Sequence, residues 1–153
     1  SGVTWHEVDA QGQRFQPTLI HAFPDKVIFG EDSSTQNPGL FTYKRIGNEQ
    51  PTIITIERLL EFRTDRKAFQ YYPSNSDLAE ANSNEVYIKF QPQGITDKTY
   101  IYGTGDGGNT WHLLYAGTIG FNAMQVIGDY LVCSKTSSAE MKGVWRAKLP
   151  TWV

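Results

Sequence analysis

The segment at residues 100–115 constrains the fold most, because it places a glycine-rich stretch between two runs that favour β-strands. Residues 100–102 and 111–115 are rich in aromatic and apolar side chains, which are enriched in strands. Three of the glycines between these runs can adopt the positive φ angles that a tight turn requires: Gly105, Gly107 and Gly108. The short polar side chains of Thr104 and Asp106 can accept hydrogen bonds from the amides of such a turn. The segment therefore predicts an antiparallel hairpin.

Part of this hairpin follows the pattern Thr-x-Asp-x-Gly-x-Thr-Trp. The residues at the defined positions are Thr104, Asp106, Gly108, Thr110 and Trp111. The pattern resembles the Asp-box, the hairpin motif of BNR repeats in sialidases and other β-propellers. The resemblance implies that the aspartate and threonine side chains fix the turn, that the tryptophan packs under neighbouring strands, and that the motif lies away from the ligand face. It implies a fold element and says little about activity.

Length and charge narrow the class of protein. A chain of 153 residues can bury a core as one domain, but it is too short for a six-bladed propeller at about 40–50 residues per blade. We therefore predict a single all-β domain over residues 1–153, built from antiparallel hairpins in a small or incomplete propeller-like array. The net charge of −2 gives no electrostatic reason to expect nucleic acid or an anionic membrane surface as a partner.

Two segments of the chain share one plan at an offset of 104 residues, which is 129 minus 25. Each has a short apolar run, a long serine-containing loop, a glycine, and a second run with an aromatic residue at its second position. The aligned pairs include Asp25 with Asp129, Gly39 with Gly143, Phe41 with Trp145, and Lys44 with Lys148. This recurrence favours successive blade-like hairpins, and chance similarity between two hairpins is the alternative.

Other elements follow from side-chain periodicity and capping signals. Residues 18–23 and 85–90 predict strands, and the second run alternates cleanly with three residues on its inward face: Val86, Ile88 and Phe90. Residues 52–63 fit a helix or a strand, and the β-branched residues at the start of this run favour a strand. Residues 76–81 predict one short helix, with Ser76 as its N-cap.

The sequence contains no recognisable catalytic or metal-binding motif. It lacks a nucleophile elbow, a Walker loop, a zinc-protease helix and a dinucleotide fingerprint. The three histidines lie far apart, without acidic or Cys residues at metal-ligand spacing: His6, His21 and His112. Sialidases use an arginine cluster and a tyrosine nucleophile on a propeller about twice as long, and the scattered arginines here do not supply that cluster. We predict a protein that is not an enzyme, with no catalytic residue, metal or cofactor, and with Cys133 as an inert strand thiol.

The remaining chemistry indicates a binding surface on polar loops. One region combines aromatic and acidic residues: Tyr71, Tyr72, Asp77, Glu80 and Glu85. Aromatic anchors beside acidic groups are typical of inhibitory interfaces, whereas burial of both tyrosines in the core is the alternative. Acidic residues in such loops, including Glu31 and Asp32, could also bind calcium. Their spacing matches no known calcium loop, which favours solvated loops.

The organisation of the whole chain is similar to that of the immunity proteins of type VI secretion lipase effectors, the Tli group. Both are small, single-domain and all-β, and this chain has one Asp-box-like hairpin. The resemblance implies a protein that binds a toxic effector in the periplasm and blocks its active site sterically, without turnover. The sequence has no run of apolar residues long enough for a membrane span. We expect a periplasmic location, or attachment to the membrane through a removed signal or lipid.

A second class of function fits the same sequence. Asp-box propellers often handle glycans, so a carbohydrate-binding or enzyme-accessory module is the alternative. Its candidate sugar-stacking residues are Trp5, Tyr72 and Trp152. A toxin inhibitor binds one protein tightly over an interface of standard size, whereas a glycan module binds sugars weakly through stacked aromatic rings.

Overall fold

A computed structural model describes residues 3–4, 17–31, 40–44, 58–60, 77–90, 99–117, 121–135 and 143–152. The described part is all-β, as predicted, and contains eleven strands and no α-helix. The strands are β1 (Pro17–Ala22), β2 (Lys26–Glu31), β3 (Leu40–Lys44), β4 (Arg58–Leu60), β5 (Leu78–Asn82), β6 (Glu85–Phe90), β7 (Thr99–Thr104), β8 (His112–Gly117), β9 (Ala123–Ile127), β10 (Tyr130–Lys135) and β11 (Gly143–Lys148).

The strands form three antiparallel sheets, none of which closes into a barrel. The first sheet contains β1 to β4, the second contains β5 to β8, and the third contains β9 to β11. In each sheet, every strand pairs with its neighbour in sequence, as expected when tight turns and short loops join antiparallel strands. The hairpin predicted at residues 100–115 is confirmed as β7 and β8, which pair in the second sheet.

The recurrence predicted from the sequence is confirmed in the strand pairing. Lys26 pairs with Lys44 in the first sheet, and the residues 104 positions later, Tyr130 and Lys148, pair in the third. The preceding strands, β1 and β9, show the same offset. Ala22 pairs with Val27 in the first sheet, and the residues 104 positions later, Val126 and Leu131, pair in the third. The strands β1 to β3 and β9 to β11 are therefore two copies of one three-stranded unit in the same register.

The second sheet lies between the other two and buries both of its faces. Val86 and Ile88 on β6 pack against side chains of the first sheet, and both are fully buried. The intervening Tyr87 is also fully buried, in a cluster with side chains of the third sheet. The sequence predicted the inward face of β6 but not the burial of the opposite face. Strands of a sheet that is covered on both sides usually have nearly continuous apolar sequences. In β6 the polar residue Lys89 interrupts such a sequence, so burial of both faces is not evident from it.

The short helix predicted at residues 76–81 is wrong, because residues 78–82 form the strand β5. This strand pairs with β6 across the turn at Ser83 and Asn84, where the amide of Asn84 donates to Asn82 Oδ1 at 2.9 Å. Leu78 packs with the cluster facing the first sheet and Ala79 with the cluster facing the third. Packing on both faces of a strand outweighs a local capping signal, since an isolated single helical turn is unstable.

Other predictions fall partly or wholly outside the described residues. In the region 52–63 only β4 is described, and it is a strand. Ser76, Tyr71, Tyr72, His6 and Trp5 lie outside the described residues. Nothing in the described part of the chain forms a helix with the length and apolar character of a membrane span.

Truncation of Ile88 tests the burial of the second sheet. We expect Ile88→Ala to lower the free energy of unfolding by about 2–5 kcal/mol, because it leaves a cavity in a fully buried cluster. The matched control is Ile127→Ala on β9, where the side chain is 61% exposed and the change is expected to stay within about 0.5 kcal/mol. Urea unfolding followed by tryptophan fluorescence measures both. Equal losses for the two variants would contradict the packing of the second sheet.

Candidate functional site

The turn between β7 and β8 is held by two side chains that bind its own backbone. The hydroxyl of Thr104 accepts a hydrogen bond from the amide of Gly108 at 2.9 Å and donates to Asp106 Oδ1 at 2.8 Å. The same carboxylate accepts from the amides of Asn109 at 3.1 Å and Thr110 at 2.9 Å. Its second oxygen accepts from the Thr110 hydroxyl at 2.5 Å. The carboxylate therefore satisfies amides that a glycine-rich turn leaves unpaired.

The electrostatics of this turn favour an ionised Asp106. Burial raises the pKa of this carboxyl, but hydrogen bonds from Thr110 and Thr104 outweigh burial and hold the pKa below its ordinary value. These bonds are made to the charged form and are lost on protonation. Both oxygens of the carboxylate accept hydrogen bonds within the turn. The arrangement therefore stabilises the hairpin.

The tryptophan and a glycine of the turn complete its packing. The indole of Trp111 donates to the carbonyl of Gly108 at 3.1 Å, and its ring packs against the cluster between the first and second sheets. Gly108 has φ +83°, and a Cβ built there would lie 2.8 Å from Phe23 Cε2 on the first sheet. Any larger residue would therefore be strained and would displace the aromatic ring. The turn is thus a junction between two sheets.

Two further contacts fasten the turn to its surroundings. The amide of Gly107 donates to the carbonyl of Asn84 at 2.9 Å, which links the turn to the neighbouring turn between β5 and β6. Lys26 on β2 is buried, and its ammonium donates to Asn109 Oδ1. The turn therefore contacts both the first sheet and its own sheet through polar atoms.

A buried lysine connects the second and third sheets. Lys89 on β6 is only 4% exposed, and its ammonium lies 2.9 Å from Asp77 Oδ1. It also donates to the carbonyls of Phe121 at 2.7 Å and Asn122 at 3.2 Å, just before β9. These three acceptors compensate for the removal of the charge from water.

The acidic residues predicted to bind a partner occupy three different settings. Asp77 forms the buried ion pair with Lys89. Glu85 accepts a hydrogen bond from the indole of Trp152 at 2.7 Å. Glu80 is exposed on β5. Two of the three acidic side chains are therefore engaged within the protein, and only Glu80 faces solvent.

The titratable groups suited to catalysis are unfavourably placed for it. Burial raises the pKa of the Cys133 thiol to about 11, with Lys89 partly opposing the shift, so the thiol is protonated at neutral pH. Burial lowers the pKa of His21, and Glu80 partly offsets the change. Among the described residues, no three His, Cys, Asp or Glu side chains cluster as metal ligands would.

An apolar cleft of about 390 Å³ opens between the second and third sheets. The strands β5 and β9 lie in contact, whereas the cleft opens between the outer strands β8 and β11. Its walls are mainly apolar and aromatic, with side chains from both sheets: Tyr87, Leu114, Tyr115, Leu131, Cys133 and Trp145. A cleft of this size and lining is typical of a binding site.

A β-bulge in β8 positions Leu114, one of the residues that line this cleft. Tyr102 pairs with Leu113 and Ile101 with Tyr115, so Leu114 is an extra residue on β8. A Cβ built at Gly103 would lie 2.8 Å from Leu114 Cδ1, which places the leucine side chain over the glycine backbone. The absence of a side chain at Gly103 therefore makes room for Leu114 on the face that borders the cleft.

The two outer strands also expose large apolar side chains. These are Leu113 at 52%, Leu114 at 38%, Val144 at 75% and Trp145 at 40% exposed, and we call them the outer apolar residues. The sequence carries a signal at Val144 and Trp145, since adjacent residues of a regular strand point to opposite faces. At Leu113 and Leu114 the bulge interrupts this alternation. An apolar pair on a strand is buried only if both faces are covered. At the outer strand of a sheet, exposure of such a pair marks a contact surface.

The chain was compared with protein-family models, with curated proteins and with solved structures. No family model, curated protein or solved structure matches it. The function is therefore inferred from the geometry of the described residues.

Protonation of Asp106 should weaken the protein in acid. Because the folded pKa lies below that of the unfolded chain, the stability from this carboxylate is complete above about pH 5 and falls as the pH drops below about 4. Asp106→Asn should cost about 1–3 kcal/mol at pH 7, and clearly less at pH 3. Urea unfolding at the two pH values measures this difference. Asp25→Asn, at an exposed turn residue, is the control, and an equal pH dependence of its effect would contradict the role of Asp106.

Loss of Asp77 should destabilise the second sheet at Lys89, whose ammonium also donates to the segment before β9. Asp77→Asn leaves a buried ammonium without its carboxylate, and we expect a loss of about 3 kcal/mol in the free energy of unfolding. Glu80→Gln removes an exposed carboxylate from the same strand and should change stability by less than about 0.5 kcal/mol. Thermal unfolding at neutral pH compares the two variants. Similar melting temperatures for both would show that the ion pair contributes little.

Proposed function

We propose that the protein is a non-catalytic binding protein that occludes a cognate secreted toxin, as an immunity protein against a type VI secretion effector. The observation that carries this proposal is the exposure of the outer apolar residues beside an apolar cleft. Exposed apolar groups of this kind mark contact surfaces for other macromolecules. An inhibitor needs such a surface and needs no reactive group.

The scaffold supports the same proposal. Three consecutive antiparallel sheets that stack face to face are consistent with blades of a small propeller-like array. The hydrogen bonds of Thr104 and Asp106 within their turn support a relation to the Asp-box. We place the protein in the periplasm, free or held at the membrane by a removed signal or lipid, because the proposed toxin acts there.

Occlusion requires an anchor that a partner can enclose. Trp145 is 40% exposed and borders the cleft, so part of its surface is accessible to a partner. Tryptophan is enriched among residues that dominate binding energy, especially where surrounding contacts exclude water. An interface of about 1,600 Å² centred on the outer strands would cover a toxin active site without any chemical step.

A carbohydrate-binding module is the second candidate, and the exposed ring of Trp145 is the observation in its favour. The sequence had placed sugar stacking on Trp152 instead. That indole packs against the backbone of Gly105 and donates to Glu85 at 2.7 Å, which leaves it half-buried. The other two stacking candidates lie outside the described residues. Among the described residues, sugar stacking would therefore fall to Trp145.

Capture of a partner tests the two candidates. The purified chain is used as bait in lysate of the source organism, in wild-type form and as Trp145→Glu. We expect the wild type to retain one stoichiometric secreted hydrolase and to inhibit it at equimolar concentration. Trp145→Glu should weaken binding at least about thirtyfold, as loss of a central anchor does.

The matched control is Ile127→Glu, which adds the same charge at an exposed apolar residue on β9. It should retain the partner as the wild type does. Circular dichroism of both variants checks that they remain folded. Retention of no protein, together with weak sugar binding on a glycan array that Trp145→Glu abolishes, would replace the immunity function by the carbohydrate module.

A further inference from the structure

Among the described residues, the third sheet contains three strands where the first sheet contains four. In the first sheet, β4 pairs with β3 at Leu40 and Phe41. The residues 104 positions later are Val144 and Trp145 on β11, in a unit with the same register. Among the residues that the structure describes, no strand pairs with the outer side of β11. All six residues of β11 are exposed.

The hydrogen bonding of β11 shows which backbone groups point outward. The amide of Leu149 donates to the carbonyl of Asp129 at 2.8 Å, so this pair is of the hydrogen-bonded type. In an antiparallel ladder, hydrogen-bonded and non-hydrogen-bonded pairs alternate. The pairs of Val144, Arg146 and Lys148 with β10 are therefore of the second type. Their amides and carbonyls point away from β10, toward the open side of the strand.

The side chains of β11 give this open side a definite chemistry. Trp145 pairs with Cys133, which lines the cleft, so Trp145 lies on the cleft face. Arg146 lies on the opposite face, where its guanidinium is 4.6 Å from the centre of the Tyr130 ring. Lys148 shares that face by alternation. The described residues place no carboxylate in an ion pair with either cation. Arg146 and Lys148 also border the cleft, so an added strand would meet these two cations together with the apolar ring of Trp145.

We propose that the open side of β11 binds an extended segment of the partner protein by strand addition, with acidic residues facing Arg146 and Lys148 and apolar residues covering Trp145 and the cleft. This inference rests on the proposed function only in that the partner is a protein. Main-chain hydrogen bonds to the three outward residues supply affinity, and the alternation of side chains supplies specificity. Opposite charges on directly facing strand residues stabilise the added strand.

A second copy of this chain fits the same edge poorly. Antiparallel pairing of two β11 strands centred on Arg146 places this arginine opposite itself. Pairing centred on Ala147 places Arg146 opposite Lys148. Like charges directly opposite each other are unfavourable, and exposed cations on an edge strand discourage self-association. The charge of the edge therefore selects an acidic partner over a copy.

A peptide titration tests the inference directly. The probe is a short synthetic peptide in which aspartate and valine alternate, added to the isotope-labelled full chain and followed by amide chemical shifts. We expect saturable shifts centred on residues 143–148. The same peptide N-methylated at alternate residues should bind at least about tenfold weaker, because it cannot complete the ladder. A peptide with lysine in place of aspartate should also bind about tenfold weaker.

Paired variants of the protein separate backbone pairing from side-chain contact. Val144→Pro removes an outward amide that the β10 ladder does not use, so an edge strand tolerates it. Val144→Ala shortens the same side chain and keeps the amide. We expect Val144→Pro to weaken peptide binding about tenfold and Val144→Ala to have a smaller effect. The double variant Arg146→Glu, Lys148→Glu should reverse the preference between the acidic and basic peptides.

Several outcomes would overturn strand addition. Equal binding of the N-methylated peptide, equal effects of the two Val144 variants, or shifts centred away from β11 would each do so. A dimer in sedimentation that Val144→Pro dissociates would assign the edge to a second copy instead. If a captured toxin binds Val144→Pro as tightly as wild type, the proposed function stands and strand addition fails. If the peptide binds as expected but no protein is captured, strand addition stands and the proposed function fails.

Discussion

The burial of the second sheet on both faces is the constraint on which the rest of the structure depends. Val86 and Ile88 on one face and Tyr87 on the other need apolar neighbours on opposite sides. One sheet cannot meet this need, so the chain supplies a unit before and a unit after it. The two units share one register but turn opposite faces to the second sheet, because Leu19 packs against it from β1 whereas Met124, and not Ala123, packs against it from β9.

Polar atoms align the sheets that apolar burial brings together. Apolar contact is non-directional, whereas a lysine ammonium and a turn amide each need partners at defined positions. Lys26 and Lys89 meet this need at the two junctions, one through Asn109 and the other through Asp77 and two carbonyls. A shift of the first sheet would separate Lys26 from Asn109, and a shift of the third sheet would remove two of the three acceptors of Lys89. The charged residues therefore fix the relative position of the sheets.

The hairpins were predictable from sequence because turn chemistry and alternation are local signals. The glycines and Asp106 identify one turn, and the offset of 104 residues identifies two related hairpins. The strand at Leu78–Asn82 was mistaken for a helix because its partners on both faces come from distant segments. The separation of Asp77 from Lys89 in the sequence likewise explains why the sequence predicts Asp77 as a partner-binding residue. Its role depends on Lys89, and no spacing in the sequence reveals that ion pair.

Only part of the candidate site could be predicted from the sequence. The apolar pair at Val144 and Trp145 is visible in the sequence, but its exposure depends on the number of strands in the third sheet, which is a property of the fold. The bulge at Leu114 is likewise a tertiary feature, since it requires the bare backbone of Gly103 beneath it. Sequence patterns locate side chains on a strand, whereas the sheet order decides which of them meet solvent.

The chain contains one cysteine, and because it is buried, its rate of chemical modification reports the opening of the protein interior. Cys133 lies in the cluster between the second and third sheets, and burial raises its pKa to about 11. A thiol reagent can attack only when this nearly buried sulfur becomes accessible and the thiolate forms. The rate of modification at this single atom therefore reports how often the interior opens around this sulfur, without any label or mutation. A ligand in the adjoining cleft would slow that rate by holding the sheets together.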